Sequence, residues 1–376
     1  MKNNLLALCV FVSLSVSVLA QVNNPIITAV PSLSIAPDAR AGGMGDIGAA
    51  TSPDVNSQYW NAAKYVFMES DAGISVSYTP WLRKLVSDID LAYLAGYWKF
   101  DQRQALSASL RYFSLGDIIL MDELGIQAGA AHPNEFALDL AYSLMLSDKL
   151  SAAATLRFIN SDLGNGSGNN QMYPGTAFAA DISSYYRTPL TLQGVDGVLG
   201  LGINISNIGS KISYDQNETS NFIPTNLRIG ASYEYPIDNY NKISVSADLN
   251  KLLVPTPKLN PTNADITAYN KLSPIAGIFQ SFTDAPGGFK EEMREIMWSV
   301  GAEYAYNNQF FVRGGYFNEN QYKGNRKYFT AGAGFKLNIF QLDAAYVIST
   351  SQSNPLDQTL RFSLSFDMFG LKELVK

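Results

Sequence analysis

The chain has 376 residues, of which 47% are hydrophobic, 12% aromatic and only 16% charged, against about 25% charged in an ordinary globular domain. Twenty-seven Lys and Arg against 33 Asp and Glu give a net charge of −6, which argues against nucleic acid as a partner and against a long charged tail. The length suits two soluble domains or one large barrel, and composition does not choose between them.

Residues 1–20 read as a signal peptide. Lys2 precedes an apolar run from Leu5 to Leu19, and Val18-Leu19-Ala20 offers small residues for cleavage before Gln21. Cleavage removes Cys9, the single cysteine, so disulfides and thiolate chemistry are excluded from the mature chain. Cys9 lies within the apolar run, whereas a lipidated cysteine would begin the mature sequence. No later segment approaches the roughly 18 consecutive apolar residues of a membrane helix. A membrane-bound mature protein must then be a β-barrel.

Residues 21–70 carry glycines, prolines and few apolar alternations, and are expected to form an irregular hatch or plug. Gly43-Met44-Gly45-Asp46-Ile47-Gly48 matches the dinucleotide fingerprint, but the preceding stretch contains Pro37 and Asp38, and Pro53 follows. That context is not strand-turn-helix, so nucleotide binding is rejected and the glycines are assigned to close packing against a wall. The hatch residues singled out are Asp38, Arg40, Gly43, Gly45 and Asn61, with Asp38 and Arg40 taken as a polar pair.

From Ile74 onward the chain alternates apolar with polar or small residues, the period of a strand with two different faces. Leu106, Ala108, Leu110 and Tyr112 oppose Ser107, Ser109 and Arg111; Leu360, Phe362, Leu364, Phe366 and Met368 oppose Arg361, Ser363, Ser365 and Asp367. The fold class is therefore all-β, a transmembrane antiparallel barrel of about fourteen strands over residues 71–370, with a tail at 371–376. Short turns near 101–104, 147–149, 238–241, 307–308 and 338 alternate with longer links, as expected of periplasmic turns and extracellular loops. One short-side link, 189–196, is longer than this rule prefers. Trp298 and Tyr306 bracket one strand like interfacial girdle residues. The lumen is expected to carry Asp90, Arg111, Asp139, Arg157, Asp181, Arg228, Glu234, Asp248, Glu303, Arg313, Asp343 and Arg361, paired with one another, with water or with an inserted plug, and orienting the wall rather than binding a ligand.

His132, the only histidine, precedes Pro133 in a long link. It would be the sole centre for a catalytic pair, and is assigned to a solvated loop; no catalytic residue, metal or cofactor is expected. Asn165-Gly166-Ser167 and Asn217-Glu218-Thr219 match glycosylation sequons without meaning in a bacterial outer membrane. The longest link, 254–294, is Pro-rich at its start and apolar at 275–282. Phe289, Met293 and Ile296 would share one face of a short helix within 289–297. Ile278, Phe279, Phe282 and Phe289 are candidates to dock a partner; a lid on the barrel mouth is the equal alternative.

Residues 24–64, with Pro31-Ser32-Leu33-Ser34-Ile35-Ala36-Pro37-Asp38-Ala39-Arg40-Ala41-Gly42-Gly43-Met44-Gly45 and Tyr59-Trp60-Asn61, resemble the PorV family. These are outer-membrane barrels of the type IX secretion system of Bacteroidetes, distantly similar to FadL-type barrels. Asn61-Ala62-Ala63 departs from the Asn-Pro-Ala usual in FadL-like segments. The resemblance implies a non-enzymatic role: binding the C-terminal domain of secreted cargo, receiving it at the translocon barrel, and passing it to a cell-surface complex with a sortase-like protein that joins cargo to lipopolysaccharide. Outer-membrane lipid and lipopolysaccharide are then the surroundings, with no nucleic acid. The alternatives are a FadL-like transporter of hydrophobic small molecules, which needs an apolar pocket between hatch and wall, and a lipase or deacylase centred on His132.

Overall fold

The computed structural model describes residues 23–83, 86, 88–121, 124–164, 172–215, 219–350 and 356–367. The signal peptide at 1–20, the tail at 371–376, Met368 and Asn165-Gly166-Ser167 lie outside them, as do Asn217 and Glu218. The described strands are β1 (Ala72–Pro80), β2 (Ile89–Lys99), β3 (Gln104–Leu115), β4 (Ile118–Met121), β5 (Gln127–Ala131), β6 (Asn134–Ser147), β7 (Leu150–Asp162) and β8 (Gly175–Leu192). There follow β9 (Val195–Gly209), β10 (Asn226–Pro236), β11 (Asn241–Leu252), β12 (Met297–Tyr306), β13 (Phe310–Asn318), β14 (Lys327–Leu337), β15 (Phe340–Ser349) and β16 (Leu360–Asp367).

Fourteen of these close one antiparallel barrel, every strand pairing with its neighbours and β1 returning to β16 from Gly73↔Asp367 to Tyr78↔Phe362. Only β4 and β5 stand apart, as a small hairpin in the link between β3 and β6. Closure leaves no edge of unpaired N–H and C=O groups, which is the condition for strands to stand in hydrocarbon.

The two faces of the wall are reversed relative to a water-soluble protein. Leu156, Phe178, Ile182 and Val312 are each more than 60% exposed on the outside, whereas Ser75, Ser143, Arg313 and Asp343 are buried within. Such a continuous apolar exterior is stable only against lipid. Trp298 and Tyr306 both lie on this outer face, at opposite ends of β12.

The connections at one end are tight. Asn307 and Asn308 both take positive φ between β12 and β13, and Asn338 does so between β14 and β15, the left-handed geometry that a two-residue hairpin needs and Asn tolerates. The expected long link at 189–196 is corrected: β8 and β9 run on as a ladder to Leu192↔Val195, and the turn is only Gln193–Gly194, at φ 52 and 81. Pro189 fits because β8 pairs with β7 only as far as Tyr186, so beyond that point it is an edge where a missing N–H is tolerated.

The face pattern needs two further corrections. Asp90 does not face the lumen. It sits on the outer face at the end of β2, accepting from Tyr78 Oη (2.7 Å) and Arg83 (2.8 Å), both outside the barrel. In β9 the strict alternation fails where Ala180↔Ile208 gives way to Ile182↔Ile205. Two residues of β9 there oppose Asp181, a bulge with Asn207 at φ 60 that turns its side chain inward.

Candidate functional site

The lumen is occupied by the N-terminal segment, and its local geometry follows from a few side chains. Asp38 caps the short helix Ala39–Gly42 by accepting from Ala41 N at 2.9 Å, and also accepts from Trp60 Nε1 at 2.6 Å. Arg40 and Asp38 are not partners of one another, contrary to the sequence reading: Arg40 donates to Glu303 on β12 (3.0 Å) and to Asp54 (2.8 Å). Glu303 in turn accepts from Arg313 at 2.6 Å, which reaches Asp343 at 2.5 Å. Asn61 caps the turn Ala62–Phe67 through Ala63 N and donates to Ala49 O and Ser184 O, both at 2.9 Å. Alanine at position 62, where FadL-like segments usually have Pro, thus sits in an ordinary 3-10 turn.

The wall donates to and accepts from this segment on every side. Asp248 of β11 accepts from Gly48 N and Ala49 N (2.9 and 3.0 Å), Ser232 of β10 donates to Ala50 O (2.5 Å), and Ser151 of β7 to Ala63 O (2.6 Å). On β14 and β16, Tyr328 (2.6 Å) and Arg361 both reach Asp46. Burial, followed by the nearby Asp54 charge, pushes the Asp38 carboxyl up to about 6, and burial pulls the Lys64 ammonium down to about 8. Lys64 answers by donating to Gly48 O and Thr51 Oγ1 (2.9 and 3.1 Å).

The glycine run lies backbone-to-backbone against the wall. Gly45 has φ +81, and a Cβ there would come within about 3.0 Å of the Tyr316 backbone. On the facing strands, a Cβ at Gly301 or Gly315 would overlap the Met44 carbonyl group. Only glycine on both sides permits this approach.

Two cavities lie on opposite sides of the segment, and they share no lining residue. The one toward the tight turns measures about 260 Å³ and is bounded by Arg40, Asp54, Glu303 and Lys336. The one toward the long links measures about 80 Å³ and is bounded by Tyr59, Trp60, Arg111, Arg157, Arg228 and Met297 among others. In the latter, Arg157 is held by Asp139 (2.6 Å) and Asp181 (3.0 Å) and by the bulged Asn207. Asn207 and Tyr59 carried no signal in the alternation, since one is a bulge and the other stands in irregular chain.

At the outer end, the link between β11 and β12 contains helices Asn263–Lys271, Pro274–Gln280 and Phe289–Glu292. The expected amphipathic helix across 289–297 is shorter, passing into a 3-10 turn at Met293–Glu295 and then into β12, so Ile296 does not share a helical face with Phe289. Below it, Glu295 accepts from Lys251 (2.6 Å), Lys323 (3.0 Å) and Thr256 (2.6 Å) in a buried cluster that fixes the link to β11 and to the β13–β14 link. Asp284, raised to about 6 chiefly by burial, belongs to the same cluster. Phe279 and Phe289 are 74% and 80% exposed and Phe282 about half, while Ile278 is half-buried. His132 pairs with Asp117 at 2.6 Å, both about 70% exposed, beside the β4–β5 hairpin.

This architecture coincides with a family assignment. The model of the type IX secretion system protein PorV matches residues 19–259, well over half of the chain. The chain belongs to the PorV family. No curated protein matches the sequence. Among solved structures, the chain is similar to a deletion mutant of TodX, a monoaromatic hydrocarbon channel, at 12% identity and a TM-score of 0.52, covering 88% of this chain and 98% of that one. It is similar to the toluene transporter TodX of P. putida at 10% identity, TM-score 0.52, covering 89% and 98%. A FadL homologue of Pseudomonas aeruginosa matches at 10% identity, TM-score 0.43, covering 92% and 99%. At these identities the TodX likeness speaks for the barrel fold alone. The PorV-family chain is thus an integral outer-membrane β-barrel of the type IX secretion system, and by loop length its tight turns face the periplasm and its long links the exterior.

Proposed function

We propose that this PorV-family barrel carries no solute through its lumen and catalyses no reaction, but acts in secretion by binding proteins at its outer end. It binds the C-terminal domain of secreted cargo, receives it from the type IX translocon barrel, and passes it to a surface complex with a sortase-like protein for joining to lipopolysaccharide. The observation that carries this reading is the filled lumen: residues 24–70 bond to strands around the wall and separate two cavities with no lining residue in common. The segment is accordingly a plug, and function falls to the surface. The link 254–294 supplies it, because Phe279, Phe282 and Phe289 stand exposed on a framework anchored by Glu295. A lid would bury these side chains.

Transport of small hydrophobic molecules, the activity of the TodX channels, is the second reading. It is disfavoured by the arginines that line the outer cavity, where an uncharged hydrocarbon would desolvate them without compensation. The test is cargo display in cells carrying Phe279→Ser with Phe282→Ser, combined with affinity purification from envelopes. Expected are a normally inserted, heat-modifiable barrel, loss of translocon and cargo from the purified material, and cargo retained in the periplasm or released unattached. Unchanged display and unchanged co-purification would remove the docking role.

A further inference from the structure

The outer cavity holds two arginines that make no ion pair among the described residues. Arg111 of β3 is 4% exposed. Its Nη1 donates to Ser32 O and to Ile35 O (2.9 Å), while Nη2 has no acceptor among the described residues. Arg228 of β10 makes one described hydrogen bond, from Nε to Asn250 Oδ1 at 2.8 Å. Both guanidinium groups lie against the ring of Tyr59, 4.7 and 5.4 Å from its centre, and Arg228 is 4.5 Å from that of Trp60.

The neighbouring acids are bonded to other groups. Asp139 is bonded to Arg157, Asp46 to Arg361 and Tyr328, and Asp248 through Oδ2 to two backbone N–H groups of the plug, its Oδ1 accepting no described hydrogen bond. Glu135, behind Arg111, accepts from Ser32 N and Ser161 Oγ. Two cations beside one aromatic ring, partly withdrawn from water and without a carboxylate at ion-pair distance among the described residues, repel one another. An arginine fork pairs best with a planar carboxylate, which accepts two parallel bonds.

We propose that the outer cavity is a binding site for an organic carboxylate: the anion bridges Arg111 Nη2 and the terminal nitrogens of Arg228, and its compact body lies among Tyr59, Trp60 and Met297. The volume sets the size. At about 10–15 Å³ per water, 80 Å³ admits a body of a few heavy atoms and excludes a long acyl chain. The same chemistry is offered by a free small acid and by the C-terminal carboxylate of a peptide. The site does not depend on the secretion reading, because it is tested on the isolated barrel.

The experiment is calorimetric titration of the purified full chain in detergent, with sodium benzoate against benzamide, and N-acetylglycine against its amide. Each acid should bind at least tenfold more tightly than its amide, and Arg228→Gln should remove that preference. Arg111→Gln should do the same, but its backbone bonds to the plug could unsettle the fold. Arg228, with one side-chain bond, is the variant that decides. Tighter binding of N-acetylglycine than of benzoate assigns the source to a peptide terminus, and the reverse to a free acid. Equal affinity for acid and amide, or an acid preference that survives Arg228→Gln, overturns the site. Displacement of benzoate by equimolar inorganic phosphate overturns the planar-carboxylate assignment.

Discussion

Gly315→Ala tests the packing of the plug more sharply than deleting it, because its neighbour supplies an internal control. Gly315 faces inward from β13, and a Cβ there would lie well inside 3.0 Å of the Met44 carbonyl carbon and the Gly45 nitrogen. Both are backbone atoms, so no side-chain rotation relieves the overlap, and the 43–46 loop must back away as a unit. Overpacking of this kind costs about 1–3 kcal/mol. Retreat also stretches the Asp46 bonds to Tyr328 and Arg361, hydrogen bonds to a charged group worth roughly 1.5–3 kcal/mol each. The expected total, about 4–9 kcal/mol when both bonds are lost, falls on plug seating and leaves the strand ladder intact. At Gly314, one residue along on the lipid face, a Cβ would meet only Thr330 O at 3.9 Å. Planar-bilayer conductance and limited proteolysis within residues 24–70 read the difference, with heat-modifiable migration as the check on the barrel. Gly315→Ala should admit protease and raise conductance, and Gly314→Ala should do neither. If the two variants behave alike, the tight backbone approach is not what seats the plug.

Three further outcomes follow from buried charge. Glu295→Ala removes the carboxylate shared by Lys251 and Lys323, while Lys251 keeps Glu292 and Lys323 keeps Glu291, so the loss falls below the about 3–5 kcal/mol of a buried charge left unpaired; protease should then cut within 254–294 while the barrel stays folded. Asp38 binds its proton more tightly when folded, at about 6 against 3.8 unfolded, so its contribution is present below about pH 4 and declines as pH rises through 6. Release of the plug in urea, followed at Trp60, should become easier over that window by up to about 3 kcal/mol, a dependence that Asp38→Asn should remove. Lys64 acts in the opposite sense at higher pH: lowered from 10.5 to about 8, its buried charge weakens the plug below that value, stability rises as the proton leaves, and Lys64→Met should flatten the gain between pH 8 and 10.

The strands were legible because lipid and a polar interior impose opposite demands on alternate residues, and that demand is written along β3, β6 and β16 without interruption. It lapses at strand ends, where an outward carboxylate is solvated: Asp90, bonded to Tyr78 and Arg83, carries the charge of a lumen residue on the opposite face. It lapses also at the β8–β9 bulge, where one extra residue shifts the inward position from Ser206 to Asn207. Glycines 43 and 45 announced close packing, but not their partners, since Gly301, Gly315 and Gly332 stand far along the chain and look like ordinary small strand residues. Tyr59 and Trp60 gave no sign of bearing on Arg111 and Arg228, because stacking across an irregular segment has no period.

The join between β1 and β16 pairs Gly73 with Asp367 and Tyr78 with Phe362, the strand pairing of the barrel with the longest intervening chain and so the one of greatest closure cost among the ladders. The plug is tied to both sides of it. Ala39 N donates to Ser363 Oγ (2.9 Å) and Asp46 binds Arg361 on β16, while Met68 O accepts from Lys99 (2.7 Å) and Ser70 bonds Tyr97 on β2, next to β1. The N-terminal segment is thus fastened across the seam that closes the barrel. The segment that stops the bore also works as an inner splint for the staves around it, so loosening it should slacken the cylinder along that one line before any other.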